Sequence, residues 1–345
     1  MKKSILEKID FVSGGGRFAI AIARVVALNN PELAVQILLR YPEYVEAAQK
    51  GNFDHFFPGI RQNVEIPRNL FFSTNKDFAN IDPETLKYFF MAYPAQDTPE
   101  ALQNLKAMNL PALLNCLFLS GTKGIVIKTR QLMSQLLKEK LPGSSEKIAV
   151  MVGPNIAADI FEGAPVVSTI AGPPATTGEF AKLFAGSPIL RAHESEEILG
   201  LDFAGVIKNI HSIAFGIALT FGLHASTVGT IMQGALRELD SFVAGFGCDR
   251  SAVSIGMSGD YQLALSGATR NAKAGIEFAQ TGKLPENYLV EGVFSLPIIL
   301  ELAREKNIRM PIVEMLNEVL NNGVKPQKAL EELIRFGRDT YRLNS

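Results

Sequence analysis

The sequence predicts an α/β fold in which a doubly wound parallel sheet is followed by an all-helical domain, with the division at residues 196 and 197. Three observations predict it. Short apolar runs alternate with helical patterns through the first half, as expected of crossover units that feed a parallel sheet. From about Glu196 onward the β-branched alternation gives way to long helical stretches. Residues 12–23, VSGGGRFAIAIA, set a glycine-rich turn between the first strand and an apolar helix.

Taken in order, the runs IDFVSG, AVQILLR, YFFMAYP, LLNCLFLSG, KIAVMVG and PVVSTIAG each read as a strand bounded by turn residues. The second half reads as helices over 198–221, 226–246, 260–280, 291–306, 311–321 and 325–341. No internal repeat or low-complexity run interrupts either half. The uncharged tract 209–236 is long enough to span a bilayer, yet Asn209, His211, Ser212, Thr220, His224, Ser226, Thr227 and Gln233 punctuate it, with a break at Gly222. Two buried helices joined by a turn are expected there, with no membrane insertion.

Composition narrows the function classes. With 345 residues, 47% hydrophobic and 20% charged, the chain has the make-up of a soluble globular protein of two domains. Its 34 basic and 35 acidic residues leave a formal charge of -1, which provides no electrostatic footprint for nucleic acid or an anionic membrane. Cys116 and Cys248 lie far apart and read as buried, reduced thiols. The start, MKKSILEKIDF, has no apolar core before Glu7, Lys8 and Asp10, so it is a poor signal peptide and a cytoplasmic address is expected. His55, His193, His211 and His224 show no metal spacing and read as structural or surface groups, so no metal is expected.

The order strand, Gly14-x-Gly16-x-x-Ala19, helix is what a dinucleotide pyrophosphate requires. Gly14 would form the tight turn, Gly16 would let the backbone approach the phosphates, Ala19 would pack the helix, and the helix N-terminus would face the negative charge. Arg17 lies in the same loop. Arg40 ends the second strand, where an NAD-selective domain places an acid against the ribose 2′-hydroxyl. It therefore leans toward NADP over NAD; the competing reading is a solvated strand-end arginine. Further strand-end junctions occur at Tyr93-Pro94-Ala95-Gln96, at Ser120-Gly121-Thr122-Lys123-Gly124 and at Gly153-Pro154-Asn155-Ile156-Ala157. Lys123, between glycines, suits an anionic cofactor or substrate or is a free loop lysine. The amides of the third junction could hold a phosphate or a carboxamide.

In the helical half the key segment is GLDFAGVIKNIHSIAFGIA, because a lysine is expensive to embed in so apolar a stretch. Desolvation would lower the pKa of Lys208 toward the range useful for proton transfer. Thr269, Arg270 and Asn271 combine a guanidinium fork with neutral donors, a good phosphate clamp if they are not simply surface groups. Glu291 is either a ribose acceptor or an acid favoured by a helix N-terminus.

These motifs, in this order, resemble those of the NAD(P)-dependent glycerol-3-phosphate dehydrogenases of bacterial type, over nearly the whole chain. The family's glycine fingerprint is similar to GGGRFA, its Pro-Gly-Ile segment to Phe57-Pro58-Gly59-Ile60, and its Pro-Ser-Gln turn to Pro94-Ala95-Gln96. Its Thr-Lys-Gly loop matches Thr122-Lys123-Gly124 and its Gly-Pro-Ser-x-Ala box matches Gly153 to Ala157. Its Leu-Lys-Asn-x-x-Ala-Ile-Ala-x-Gly-Ile stretch resembles Ile207 to Ile217, and Gly259-Asp260, Arg270-Asn271 and Val290-Glu291-Gly292 follow in the family's order.

The resemblance implies a Rossmann-like domain before the helical one, and reversible hydride transfer between NADP or NAD and C2 of a small phosphorylated substrate, dihydroxyacetone phosphate giving sn-glycerol 3-phosphate. It implies Lys208 as proton donor and acceptor, with Lys123 and Asp260 orienting the C2 oxygen. Gly153, Asn155, Asn209, Thr269, Arg270 and Asn271 would complete the substrate site. Gly14, Gly16, Arg17, Phe18, Ala19, Arg40, Lys123, Ala157, Arg270, Leu289 and Glu291 would bind the cofactor. A homodimer through the helical domain and a role in phospholipid synthesis are implied as well. The chain departs from the family at Arg17-Phe18-Ala19 in place of Ser-Trp-Gly, at Asn155, at Asp202 in place of Glu, and at Ala264 in place of Thr. The alternatives are a related dehydrogenase of another small 2-hydroxy acid or phosphorylated alcohol, and a non-catalytic NAD(P)-binding homologue.

Overall fold

The computed structural model describes residues 8–60 and 64–331. Two units divide the chain, one formed by residues up to 123 together with 131–198, the other by 124–130 together with 199 onward.

The first unit is built on eight strands: β1 Phe11–Gly15, β2 Val35–Leu39, β3 Leu70–Thr74, β4 Tyr88–Ala92, β5 Leu117–Ser120, β6 Ile148–Val152, β7 Val166–Ala171 and β8 Leu190–Ser195. They run side by side in the order β8-β7-β6-β5-β4-β1-β2-β3. Every neighbouring pair is parallel except β6 and β7, which are antiparallel. From β1 the chain moves outward through β2 and β3, then returns to place β4 on the other side of β1. That reversal makes β1 and β4 the switch point of the sheet, and ligands of such sheets collect beyond the carboxyl ends of the strands there.

Strands buried on both faces read as continuous apolar runs. Phe11 packs with Ile20, Val35, Phe90 and Phe180 on one face, against α1 Arg17–Asn29 and α6 Pro174–Phe184. The next residue, Val12, packs with Leu38, Phe89, Phe118 and Leu113 on the other, where α3 Thr98–Asn115 lies. Two strands, one at each edge of the sheet, were not among the sequence-level runs. β3, LFFST, is short and largely buried, whereas β8, LRAHES, carries exposed polar positions, so its pattern reads as loop. Three further helices, α2 Pro42–Gln49, α4 Met133–Lys140 and α5 Ala157–Glu162, complete the unit.

In the second unit α7 Ile198–Leu219 and α8 Ala225–Gly245 are the two helices expected from the uncharged tract. α7 is apolar and long enough to cross a membrane, and it is buried from Gly200 to Ile213 without interruption. The helix expected over 260–280 is instead two, α9 Arg250–Leu265 and α10 Arg270–Thr281. The reason is local. Gly267 takes φ +76°, a left-handed conformation that stops α9, and Thr269 caps α10 by accepting the Ala272 N–H on Oγ1 at 3.2 Å. α11 Glu291–Glu305 and α12 Pro311–Asn321 match their expected positions. The helix expected over 325–341 begins at 326, and its part beyond 331 lies outside the described residues. Cys116 is buried, but Cys248 is only half-buried in the turn after α8, which corrects the expectation of two buried thiols.

Candidate functional site

The glycine loop lies between β1 and α1, as the sequence places it, but its structural roles are shared differently from expectation. Gly14 belongs to β1, and what requires glycine there is the Tyr93 ring, whose Oη would lie 2.5 Å from a Cβ. The conformational freedom is needed at Gly15, with φ +133° and Ala92 O only 2.6 Å from a Cβ position. Gly16 precedes α1, and a Cβ built on it meets nothing within 4 Å, so the backbone before the helix is open to a close ligand. Ala19 is fully buried, and its carbonyl accepts the Ser13 hydroxyl at 2.8 Å, locking strand to helix. Arg17 is exposed as the first residue of α1. Phe18 meets Phe90 edge to face with centroids 5.4 Å apart and lies against Gly121. A glycine-opened helix N-terminus with free space before it suits the pyrophosphate of a dinucleotide.

The same sheet edge gathers the other first-unit candidates. Thr122 Oγ1 donates to the Tyr93 carbonyl at 2.7 Å, which ties the loop after β5 to the end of β4. Lys123 Nζ donates to the Gly153 carbonyl at 3.0 Å, across to the loop after β6. Asn155 accepts the Ser168 hydroxyl on Oδ1 at 2.7 Å, while its Nδ2 is buried without a hydrogen-bond partner. Ala157 then opens α5. Arg40 is exposed directly after β2, its guanidinium 5.4 Å from the Tyr41 ring centre.

In the second unit Lys208 has a partner that the sequence-level reading of burial alone leaves out. Its Nζ lies 2.6 Å from Asp260 Oδ1, with the side chains 5% and 1% exposed. Burial disfavours an isolated ammonium, whereas a carboxylate at this distance favours it, so the two effects oppose each other. Asn209, adjacent on α7, is also buried. Asn271, in the first turn of α10, accepts the Gly292 N–H at 3.1 Å and thereby joins α10 to the start of α11. Glu291 is the first residue of α11, where the helix dipole favours an acid, and Leu289 is half-buried just before it. Thr269 uses its hydroxyl oxygen as the α10 cap, and Arg270 is exposed beside it, its carbonyl accepting from Tyr288 Oη at 3.4 Å. Ala264, where a hydroxyl is expected from the resemblance, is fully buried in α9.

One buried network was not anticipated as such. His211, one turn after Lys208 and 0% exposed, has Nδ1 2.8 Å from Tyr261 Oη and Nε2 3.1 Å from Glu238 Oε2. Glu238 Oε1 also accepts the Ile312 N–H at the start of α12. Burial pushes the Glu238 carboxyl above its ordinary range, opposed by the bond to His211, and holds the Tyr261 phenol well above its own. The residues Lys208 and His211 thus link α7 to the adjacent pair Asp260 and Tyr261 on α9 at two points. The sequence signal was a histidine inside an apolar helix, which by itself does not name its partners.

Residues 11–177 match the family described as NAD-dependent glycerol-3-phosphate dehydrogenase N-terminus, and residues 197–331 match the corresponding C-terminus. A glycerol-3-phosphate dehydrogenase (NAD(P)+) of Sinorhizobium fredii is 30% identical over 331 residues, covering 94% of this chain and 94% of the relative. A chloroplastic glycerol-3-phosphate dehydrogenase (NAD(+)) of Oryza sativa is 25% identical over 333 residues, covering 94% of this chain and 73% of the relative. The solved structure of Plasmodium falciparum glycerol-3-phosphate dehydrogenase shares the fold, with a TM-score of 0.81 at 20% identity, covering 100% of this chain and 98% of that one. The chain belongs to the NAD-dependent glycerol-3-phosphate dehydrogenase family.

Proposed function

We propose that the protein reduces dihydroxyacetone phosphate to sn-glycerol 3-phosphate reversibly with NADPH or NADH, and that it supplies the glycerol backbone of phospholipids as a cytoplasmic homodimer. The observation that carries the reading is the buried Lys208–Asp260 pair in a member of this family. A buried ion pair is weak support for stability, since apolar replacements of similar volume often do as well. A use in chemistry explains it better.

The open backbone at Gly16 and the N-terminus of α1 fit a pyrophosphate, so Gly14, Gly16, Arg17, Phe18 and Ala19 are assigned to the cofactor. Hydride is the chemistry that a bound nicotinamide supplies. Lys208 Nζ gives a proton to the C2 oxygen as the carbonyl becomes a hydroxyl, and takes one back in the oxidation direction. Asp260 holds Nζ in place from 2.6 Å. Thr269, Arg270 and Asn271 take the phosphate: one exposed guanidinium and neutral donors at the opening of α10, whose dipole also favours an anion.

The test is oxidation of NADPH and NADH at neutral pH with dihydroxyacetone phosphate, run beside a folded Lys208→Ala variant. Turnover that falls about 10²- to 10⁴-fold in the variant, with cofactor binding retained, supports the assignment. Wild-type protein that binds nucleotide but turns over neither pair sinks it.

A further inference from the structure

Beyond the ends of β2, β3 and β4 lies a cavity of about 350 Å³ within the first unit. Parallel register fixes its floor. Gly14 of the glycine loop is opposite Leu38, and Leu39 is opposite Thr74, so Arg40 and Asn75 follow at the same edge of the sheet, with Lys76 next. The cavity is lined by Arg40, Asn75, Lys76 and Tyr93 on its polar side and by Leu105 and Met108 of α3 on its apolar side. Among the described residues no Asp or Glu lines it. Asp77, one position beyond Lys76, is committed to the turn: its Oδ2 accepts both the N–H and the hydroxyl of Thr74 at 2.8 Å.

We propose that Lys76 joins Arg40 in a two-cation clamp for the 2′-phosphate of an adenosine, which makes the protein selective for NADP(H). The inference rests on the nucleotide-binding reading above and adds Lys76 to it as a specificity-determining residue. In a doubly wound domain the adenosine ribose lies over the end of the second strand, where an acid favours a free 2′-hydroxyl and repels a phosphate. Here that position is a guanidinium, and a second cation lines the same cavity from the turn that follows β3. Arg40 offers paired N–H donors and Lys76 a compact point charge, two complementary ways of holding a phosphate dianion. The apolar wall from α3 suits the adenine ring. Family membership does not decide the matter, because relatives carry both the NAD(+) and the NAD(P)+ designation.

The test is calorimetric titration of the full-length protein with adenosine 2′,5′-bisphosphate and with 5′-AMP, probes that differ only in the 2′-phosphate. Wild type is expected to prefer the bisphosphate by about tenfold or more, and Lys76→Ala to reduce that preference by about 5- to 10-fold. The 5′-AMP affinity should stay within about twofold, as the lost contact is to the 2′-phosphate alone. Lys76 is exposed, so folding is not at stake; Lys76→Glu should abolish or reverse the preference. Absence of bisphosphate binding, no preference in wild type, or a preference unchanged by Lys76→Ala overturns the clamp. Because the readout is binding, it is independent of turnover. Bisphosphate preference without reduction of dihydroxyacetone phosphate would remove the dehydrogenase reading and leave the clamp standing, and the reverse result would do the opposite.

Discussion

Lys208 Nζ lies 2.6 Å from Asp260 Oδ1, and both side chains are almost wholly shielded from water, so removing either member takes this counter-ion from a buried charge. Lys208→Ala and Asp260→Ala should each cost about 3–5 kcal/mol of stability. The double variant Lys208→Met/Asp260→Leu should regain much of that loss and still fail to turn over. Urea melts beside NADPH oxidation would separate the two effects. Recovery of activity in the double variant would exclude this pair from proton transfer.

The glycine loop permits a sharper separation of folding from binding. Gly15→Ala must place a Cβ 2.6 Å from the backbone oxygen of Ala92 at φ +133°, so its effect should be on stability. Gly16→Ala meets no protein atom within 4 Å, and its stability should stay within about 0.5 kcal/mol of wild type. Its Cβ would instead stand where the phosphates approach, lowering NADPH affinity by about tenfold or more. Fluorescence titration of NADPH with each purified variant checks this; full affinity in Gly16→Ala would move the pyrophosphate elsewhere.

Much of this arrangement was legible in the sequence. The alternation of VSGG with an apolar helix, the placement of Arg40 at the end of β2 and the isolation of Lys208 in an apolar tract each follow from local pattern, and each lies where that pattern put it. What was not legible depends on contacts between distant residues. The Tyr93 ring decides why residue 14 is glycine, and Asp260 decides how the charge of Lys208 is balanced. The break between α9 and α10 was missed because Ser266, Gly267 and Ala268 interrupt a helical composition only briefly, and the left-handed turn at Gly267 is a backbone property that periodicity does not register.

Thr269 has two duties under the proposed function, and substitution should divide them. Its Oγ1 accepts the Ala272 N–H as the α10 cap, so Thr269→Ala should cost about 0.5–2 kcal/mol and also raise KM for the phosphorylated substrate. Thr269→Ser keeps the oxygen and should restore both. Thr269→Asp caps equally well but sets a carboxylate beside the phosphate, so stability should hold while KM rises further. A KM for Thr269→Asp equal to wild type would move the phosphate away from the opening of α10.

Glu238 predicts a pH dependence with a definite sign. Its carboxyl is raised above the ordinary 4.5 by burial, while the His211 bond pulls it back only in part. The folded protein therefore holds a proton that the unfolded chain releases, and the slope of unfolding free energy with pH is negative through that interval. The contribution is fully present below the unfolded pKa and is lost as pH rises through the folded one. Glu238→Gln keeps an oxygen for the Ile312 N–H and an amide N–H for His211 Nε2, but has nothing to titrate. Urea melts at a series of pH values from about 4.5 upward should show wild-type stability declining relative to the variant. Parallel curves would mean that Glu238 keeps the same charge in both states, and that the proton shared along Tyr261, His211 and Glu238 rests elsewhere in the network.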